Sequence, residues 1–362
     1  MDQSRTETIP PESPRSTTGT LKPSSGTIEV AIGTSLTADL IERIALLDPR
    51  LHVRDVASHF VNELPEALRP GQSPPRSSAE PDFPAVLRAT EVLLAPRQMP
   101  SDILARMPSL RWAQAVTAGV DYLANTGVAG NGVCLTTAAG INTRPVAEYA
   151  MAGILYFAKE LDRVRRNQRA HRWERHDLGE LGGRTLGLLG LGAVGSQVAH
   201  LAAAFGMHVL AMRRSNGIAQ SGVHEVWGME RLDELLSRAD YVVVALPLTS
   251  STRAVIDEGR LLSMSPHAVL VNVGRGPVVD EAALLKALQS AWIRGAVLDV
   301  FEQEPLPADH PFWEMENVLL SAHLAGLSDR YDARVVDLFC DNLRRYLEGL
   351  PLLNVVDASH GY

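Results

Sequence analysis

From residue 27 onward the chain alternates short continuous apolar runs, the mark of buried strands, with stretches whose apolar positions recur every three to four residues, the mark of amphipathic helices. Residues 28–33 read as a strand, 37–47 as a helix and 51–56 as a second strand. A Pro/Ser-rich surface excursion between Leu64 and Pro84 interrupts the alternation. It resumes with a strand over 92–95, a helix over 101–106 and a strand over 111–115. Asn142 or Thr143 can cap the next helix and Pro145 suits its first turn. Apolar residues from Val146 to Val164 then predict one long helix connecting two domains. A strand over 185–189, a helix carrying Val194, Val198, Leu201, Ala202 and Phe205, and a strand over 207–212 follow. Beyond them, helices over 230–238, 257–263 and 280–289 alternate with strands over 241–246, 268–272, 295–300 and 318–320. Strands separated by helices of that length require right-handed crossovers and a parallel sheet covered on both faces, so the fold class is α/β.

Between the strands at 185–189 and 207–212, Gly190, Gly192 and Gly195 make a G-x-G-x-x-G spacing at a strand-to-helix turn. The first glycine permits the tight turn, the second lets backbone approach a pyrophosphate, and the third lets helix and strand pack closely. Phosphate then sits on the helix N-terminus, where free N–H groups and the helix dipole attract it. In this strand–turn–helix–strand context the spacing predicts a dinucleotide site. After the second strand, sites for NAD place an acid for the ribose hydroxyls, whereas Arg accommodates the 2′-phosphate of NADP. This chain has Arg213, Arg214 and Ser215 there and no acid, which favours NADP(H) over NAD(H).

Composition narrows the field. A chain of 362 residues, 46% hydrophobic and 21% charged, has material for two cores, and its net charge of −8 with no long basic run argues against nucleic acid as a partner. The basic stretch 163–175 is interleaved with Glu174 and flanked by Glu160, Asp162 and Asp177, which suits a solvated helix end. Cys134 and Cys340 make neither a disulfide framework nor a metal-ligand cluster. With no apolar run of membrane-spanning length and no signal-peptide pattern, a cytoplasmic location and no membrane partner are expected. Residues 1–26, rich in Ser, Thr and Pro, read as a disordered tail.

Ligands of doubly wound sheets sit at the carboxyl ends of the strands. Arg275 follows the strand over 268–272, Glu304 that over 295–300 and His323 that over 318–320. Singly, each has an ordinary reading as a surface Arg, a turn Glu or a satisfied His. Together they supply a guanidinium to hold a carboxylate and polarise a carbonyl, an imidazole to move a proton, and a carboxylate to keep that imidazole charged, which is what reduction of a 2-oxo acid requires. In the earlier α/β segment, Ala118 and Gly119 follow a strand where backbone N–H groups can point at an anion.

These residues stand in motifs, LLGLGAVG from Leu188, ALPLTSSTRAVID from Ala245, NVGRGPVVDE from Asn272, LDVFEQEPLPADHPFW from Leu298 and SAHLAG from Ser321, through which the chain resembles the D-isomer-specific 2-hydroxyacid dehydrogenases. The resemblance runs from about Val92 to Leu347 and includes the 29-residue step from Arg275 to Glu304. It implies two Rossmann-like domains, with the dinucleotide-binding domain (residues 140–323) inserted into a smaller flavodoxin-like substrate domain (27–139 and 324–362). It also implies Arg275, Glu304 and His323 as catalytic residues, and Ala118 and Gly119, with Arg275, as substrate-binding. Thr143, Gly190, Gly192, Ala193, Val194, Gly195, Leu246, Pro247, Thr252, Gly274 and Asp299, together with Arg275 and His323, would line the cofactor, Asp299 near the nicotinamide amide. The activity implied is hydride transfer between NAD(P)H and a small 2-oxo acid such as glyoxylate or hydroxypyruvate, by a homodimer. Phosphoglycerate and phosphite dehydrogenases resemble the same pattern, as do corepressors that act as cofactor-sensing scaffolds.

Overall fold

A computed structural model of the chain describes residues 21, 23–62, 82–96, 98–119, 126–128, 131–213 and 221–356. Most of the expected tail, the bulk of the Pro-rich excursion, and Arg214 and Ser215 lie outside the described residues. The chain divides into two compact units, Met1–Ile141 with Asp329–Tyr362, and Asn142–Ser328.

The first unit contains strands β1 (Ile28–Ile32), β2 (Leu51–Asp55), β3 (Val92–Leu94), β4 (Trp112–Gln114) and β5 (Cys134–Thr136), with helices α1 (Ala38–Ala45), α2 (Ala57–Asn62), α3 (Phe83–Ala89) and α4 (Ile103–Arg106). All its strands are parallel, in the order β2-β1-β3-β4-β5, the flavodoxin-like winding. Alternate side chains go to opposite faces: Ile28, Val30 and Ile32 pack with Val336, Phe339 and Leu343, while Ala31 and Leu93 pack with Phe60, Leu87 and Ile103. Three short elements, α2, α3 and β5, escape the apolar pattern. In α3, Asp82 caps by accepting from the Ala85 N–H and Pro84 fills the first turn, so this Pro opens a helix where the sequence reads as loop.

The second unit opens with α5 (Thr143–Ala158) and α6 (Leu161–Arg169), followed by β6 (Thr185–Leu189), α7 (Ala193–Ala204), β7 (His208–Met212), β8 (Glu225–Trp227), α8 (Leu232–Arg238), β9 (Tyr241–Val244), α9 (Glu258–Ser263), β10 (Val269–Asn272), α10 (Glu281–Gln289), β11 (Gly295–Leu298) and β12 (Val318–Leu320). The last helix, α11 (Tyr331–Glu348), belongs to the first unit. The seven strands of the second unit are parallel in the order β12-β11-β10-β9-β6-β7-β8, a doubly wound dinucleotide-binding sheet. One face, including Leu188, Val209, Val243 and Val271, packs on α5 and α7; the other, including Leu189, Leu210, Val242 and Leu270, packs on α8, α9 and α10. Each fully buried Val or Leu contributes roughly 1.5–3 kcal/mol relative to leaving it exposed.

The single long helix expected from 146 to 164 is two helices. Eight residues of α5 are buried and none of α6, so the burying face ends at Ala158. Glu160 then turns the chain through the left-handed region (φ 46°), and its carboxylate pairs with Arg163 at 3.3 Å and Arg294 at 3.6 Å. The apolar positions that prolonged the pattern, Leu161 and Val164, are exposed. Far from being a connector, α5 is part of the core of the second unit.

Candidate active site

Register collects the site at one edge of the second sheet. Leu189, Met212, Val244, Asn272, Leu298 and Leu320 lie in one row across β6, β7, β9, β10, β11 and β12. The residues that follow each of them therefore leave the sheet together. At the centre of this edge, between β6 and β9, the winding reverses direction. Gly190 sits there at φ +102°, and a Cβ on it would lie 2.6 Å from the Ala245 carbonyl oxygen. A Cβ on Gly195 would meet the Gly190 carbonyl oxygen at 1.9 Å, so helix and turn touch backbone to backbone. Gly192, by contrast, is exposed at the start of α7 with no atom near its missing Cβ, next to exposed Ala193 and half-buried Val194. Two tight glycines and one open one at the N-terminus of a twelve-residue helix fit the pyrophosphate of a dinucleotide.

Three loops further along the edge carry the titratable groups. After β10, buried Asn272 donates through Nδ2 to the Arg275 carbonyl (3.1 Å) and accepts from the Gly274 N–H (3.1 Å), shaping the loop that presents Arg275. Gly276 presses on the Phe301 carbonyl, joining the Arg275 loop to the one that carries Glu304. Glu281 holds the second loop by accepting from the Glu302 N–H at 3.0 Å. Glu304 accepts from the Phe301 N–H through Oε1 (3.0 Å), and its Oε2 lies 2.8 Å from Nδ1 of His323. The carboxylate thus aims the ring, leaving Nε2 for other partners.

The electrostatics follow from the geometry. The hydrogen bond and charge of Glu304 raise the His323 pKa above its ordinary 6.5 against the effect of burial; Asp299 adds to the rise and Arg275 opposes it. Burial pushes the Glu304 carboxyl up, but the His323 and Phe301 hydrogen bonds and the charges of His323 and Arg275 hold it below its ordinary value. Arg275 is therefore close enough to act on both members of the pair. The pair is half-exposed, with 50% of the His323 side chain and 37% of Glu304 open, so it is accessible to a small molecule.

Of the other expected residues, Thr143 begins α5, and Leu246 and Pro247 follow β9 with Gly274 against the Leu246 backbone. Thr252 donates to the Pro247 carbonyl at 2.7 Å and accepts from the Thr249 N–H at 2.8 Å, and so shapes that loop. Arg213 leaves β7 half-buried with its N–H on the Trp227 carbonyl (3.0 Å), and no described carboxylate pairs with its guanidinium. Ala118 and Gly119 belong to the first unit, following β4, where Thr117 donates to the Gly119 carbonyl at 2.8 Å.

The description "D-isomer specific 2-hydroxyacid dehydrogenase, NAD binding domain" matches residues 151–325. A glyoxylate reductase of Korarchaeum cryptofilum is 35% identical over 268 residues, covering 72% of this chain and 80% of its own. The chain belongs to the D-isomer specific 2-hydroxyacid dehydrogenase family. A glyoxylate/hydroxypyruvate reductase B of Yersinia pestis is 32% identical over 320 residues, 85% of this chain and 94% of its own. A D-isomer specific 2-hydroxyacid dehydrogenase from Xanthobacter autotrophicus, solved in complex with NADPH and MES, superposes with a TM-score of 0.74 at 31% identity, covering 94% of this chain and all of that one. The protein is accordingly an oxidoreductase with a nicotinamide cofactor, acting on small 2-oxo or 2-hydroxy acids.

Sequence reasoning missed the residues that hold the candidate catalytic loops. Asn272 and Glu281 lie inside a quoted motif, yet only the fold reveals that one shapes the Arg275 loop and the other the Glu304 loop. Asp299, expected at the nicotinamide, is 1% exposed and has both oxygens engaged by the chain itself: Oδ1 accepts from Ser321 and Leu324, Oδ2 from Ala325. Its place directly after a strand marks it in the sequence, whereas its hold on residues 321–325 shows only in the fold.

Proposed function

We propose that this dehydrogenase reduces a small 2-oxo acid of the glyoxylate or hydroxypyruvate kind to the D-2-hydroxy acid, with NADPH preferred to NADH. The observation that carries the reading is the 2.8 Å contact between Glu304 and the raised-pKa imidazole of His323. The nicotinamide of a cofactor whose pyrophosphate is held at the glycine turn would supply the hydride. As negative charge gathers on the carbonyl oxygen, His323 gives that oxygen the proton from Nε2, while Glu304 stabilises the ring in its charged form before transfer. Arg275 holds the substrate carboxylate and polarises the carbonyl, since a guanidinium suits both tasks. Backbone N–H groups of Ala118 and Gly119 are suited to an anionic group of the substrate. Thr143, Leu246, Pro247, Thr252, Gly274 and Asp299 line or shape the cofactor's side of the site, with residues 140–323 as the cofactor-binding domain and residues 27–139 and 324–362 as the substrate domain.

The NADPH preference rests on Arg213, which follows β7 where sites for NAD place an acid. The glyoxylate reductase relatives favour this reading over a scaffold role. A homodimer is part of it, supported by exposed apolar side chains along and after α6: Leu161, Val164, Leu178 and Trp173, the last 95% open. So is a cytoplasmic location, supported by two free thiols and by the lack of any described helix long and apolar enough to cross a membrane. Purified protein assayed against a panel of 2-oxo acids with each cofactor tests the proposal: turnover of glyoxylate or hydroxypyruvate with NADPH is expected, and turnover confined to other substrates or to NADH contradicts it.

A further inference from the structure

His323 is the one residue of the catalytic loop whose backbone is in the left-handed region, at φ 54°. A non-glycine residue there costs on the order of 1–3 kcal/mol and persists only where its surroundings impose it. What imposes it is Asp299. Its backbone carbonyl accepts from the His323 N–H at 2.9 Å, Oδ1 accepts from the Leu324 N–H at 2.7 Å, and Oδ2 accepts from the Ala325 N–H at 3.0 Å. One buried residue thus fastens three consecutive N–H groups around the catalytic ring. Oδ1 also accepts from the Ser321 hydroxyl at 2.6 Å, and the Ser321 oxygen in turn accepts from the Tyr149 hydroxyl, also at 2.6 Å. Tyr149 comes from α5, anchored by buried neighbours Val146, Ala150 and Met151. Burial pushes the Tyr149 hydroxyl above its ordinary 10, so it remains a donor through the neutral range.

We propose that Tyr149 and Ser321 are positioning residues for the proton transfer: the chain Tyr149–Ser321–Asp299 ties loop 321–325 to α5 and fixes where His323 presents its ring. The inference rests on reading His323 as the proton donor. It predicts a penalty on turnover rather than on substrate capture, because the chain touches the loop backbone and not the groups that hold a carboxylate.

The test is a double-mutant cycle on the intact enzyme, measuring glyoxylate reduction by NADPH, with His323→Ala as reference. Ser321→Ala should lower kcat about three- to tenfold and Tyr149→Phe about threefold, each with KM for glyoxylate within about twofold of wild type, the size expected for one hydrogen bond acting in the transition state. Ser321→Thr keeps the hydroxyl and should restore kcat. The double variant Tyr149→Phe/Ser321→Ala should lose no more than Ser321→Ala alone, because both act through one chain. Wild-type kcat in either single variant, losses that multiply in the double, or failure of Thr to rescue overturns the proposal. Should Ser321→Ala not fold, Tyr149→Phe, a near-isosteric change, still decides it on the kcat-against-KM split. Wild-type turnover by His323→Ala would instead overturn the proton-donor reading, a separate failure.

Discussion

The glycine turn and the His323 loop leave the same sheet edge and both need backbone at positive φ, but they meet that need in opposite ways. At Gly190, φ +102° costs little because there is no side chain to clash, and a Cβ would in any case strike the Ala245 carbonyl. At position 323 the proposed proton donor is an imidazole, so glycine is not available; a φ of 54° is kept by fastening the neighbouring N–H groups to Asp299. A cofactor cradle can be made of backbone alone, whereas a proton donor is a side chain whose strained backbone has to be held. Phosphate recognition therefore leaves a compact motif in the sequence, and the support of His323 does not.

Removing the ring should have the largest effect. His323→Ala should cost about a hundred- to ten-thousandfold in kcat for reduction, the usual size of a general-acid contribution, with cofactor binding measured by fluorescence titration retained. On the other side of the comparison, Gly195→Ala forces a methyl against the Gly190 carbonyl and should destabilise the unit by about 1–3 kcal/mol, read as a lowered melting temperature together with weaker NADPH binding. Arg213→Asp should reverse the cofactor order: a charge-assisted bond to the 2′-phosphate is worth about 1.5–3 kcal/mol, roughly ten- to a hundredfold in kcat/KM, and the Asp adds repulsion. Equal kcat/KM with both cofactors in the wild-type protein would remove the basis for that prediction.

The same contrast explains what could be read from the residues alone. Alternating apolar blocks gave both parallel sheets away, and Arg275, Glu304 and His323 stood out because each follows a strand at the edge where ligands bind. The clasp on His323 was invisible because its bonds join residues 22 and 172 positions apart, from Ser321 to Asp299 and from Tyr149 to Ser321, distances with no periodic trace. The strands β5 (CLT) and β8 (EVW) lack the continuous apolar run that marks the equally short β3 and β12, both VLL. The break after Ala158 was hidden because Leu161 and Val164 prolong an apolar pattern whose residues point to solvent.

The central claim is that Glu304 keeps His323 charged for proton donation, and the pH profile of reduction by Glu304→Gln addresses it most directly. Reduction needs the protonated ring, so in the wild-type enzyme kcat/KM should fall as pH rises through a His323 pKa lifted above 6.5, chiefly by Glu304. Replacing the carboxylate with an amide removes the cause of that lift, and the alkaline limb should move to lower pH while KM for the oxo acid near the acid end stays close to wild type. An alkaline limb that stays where it was would show that Glu304 is not the partner that charges His323.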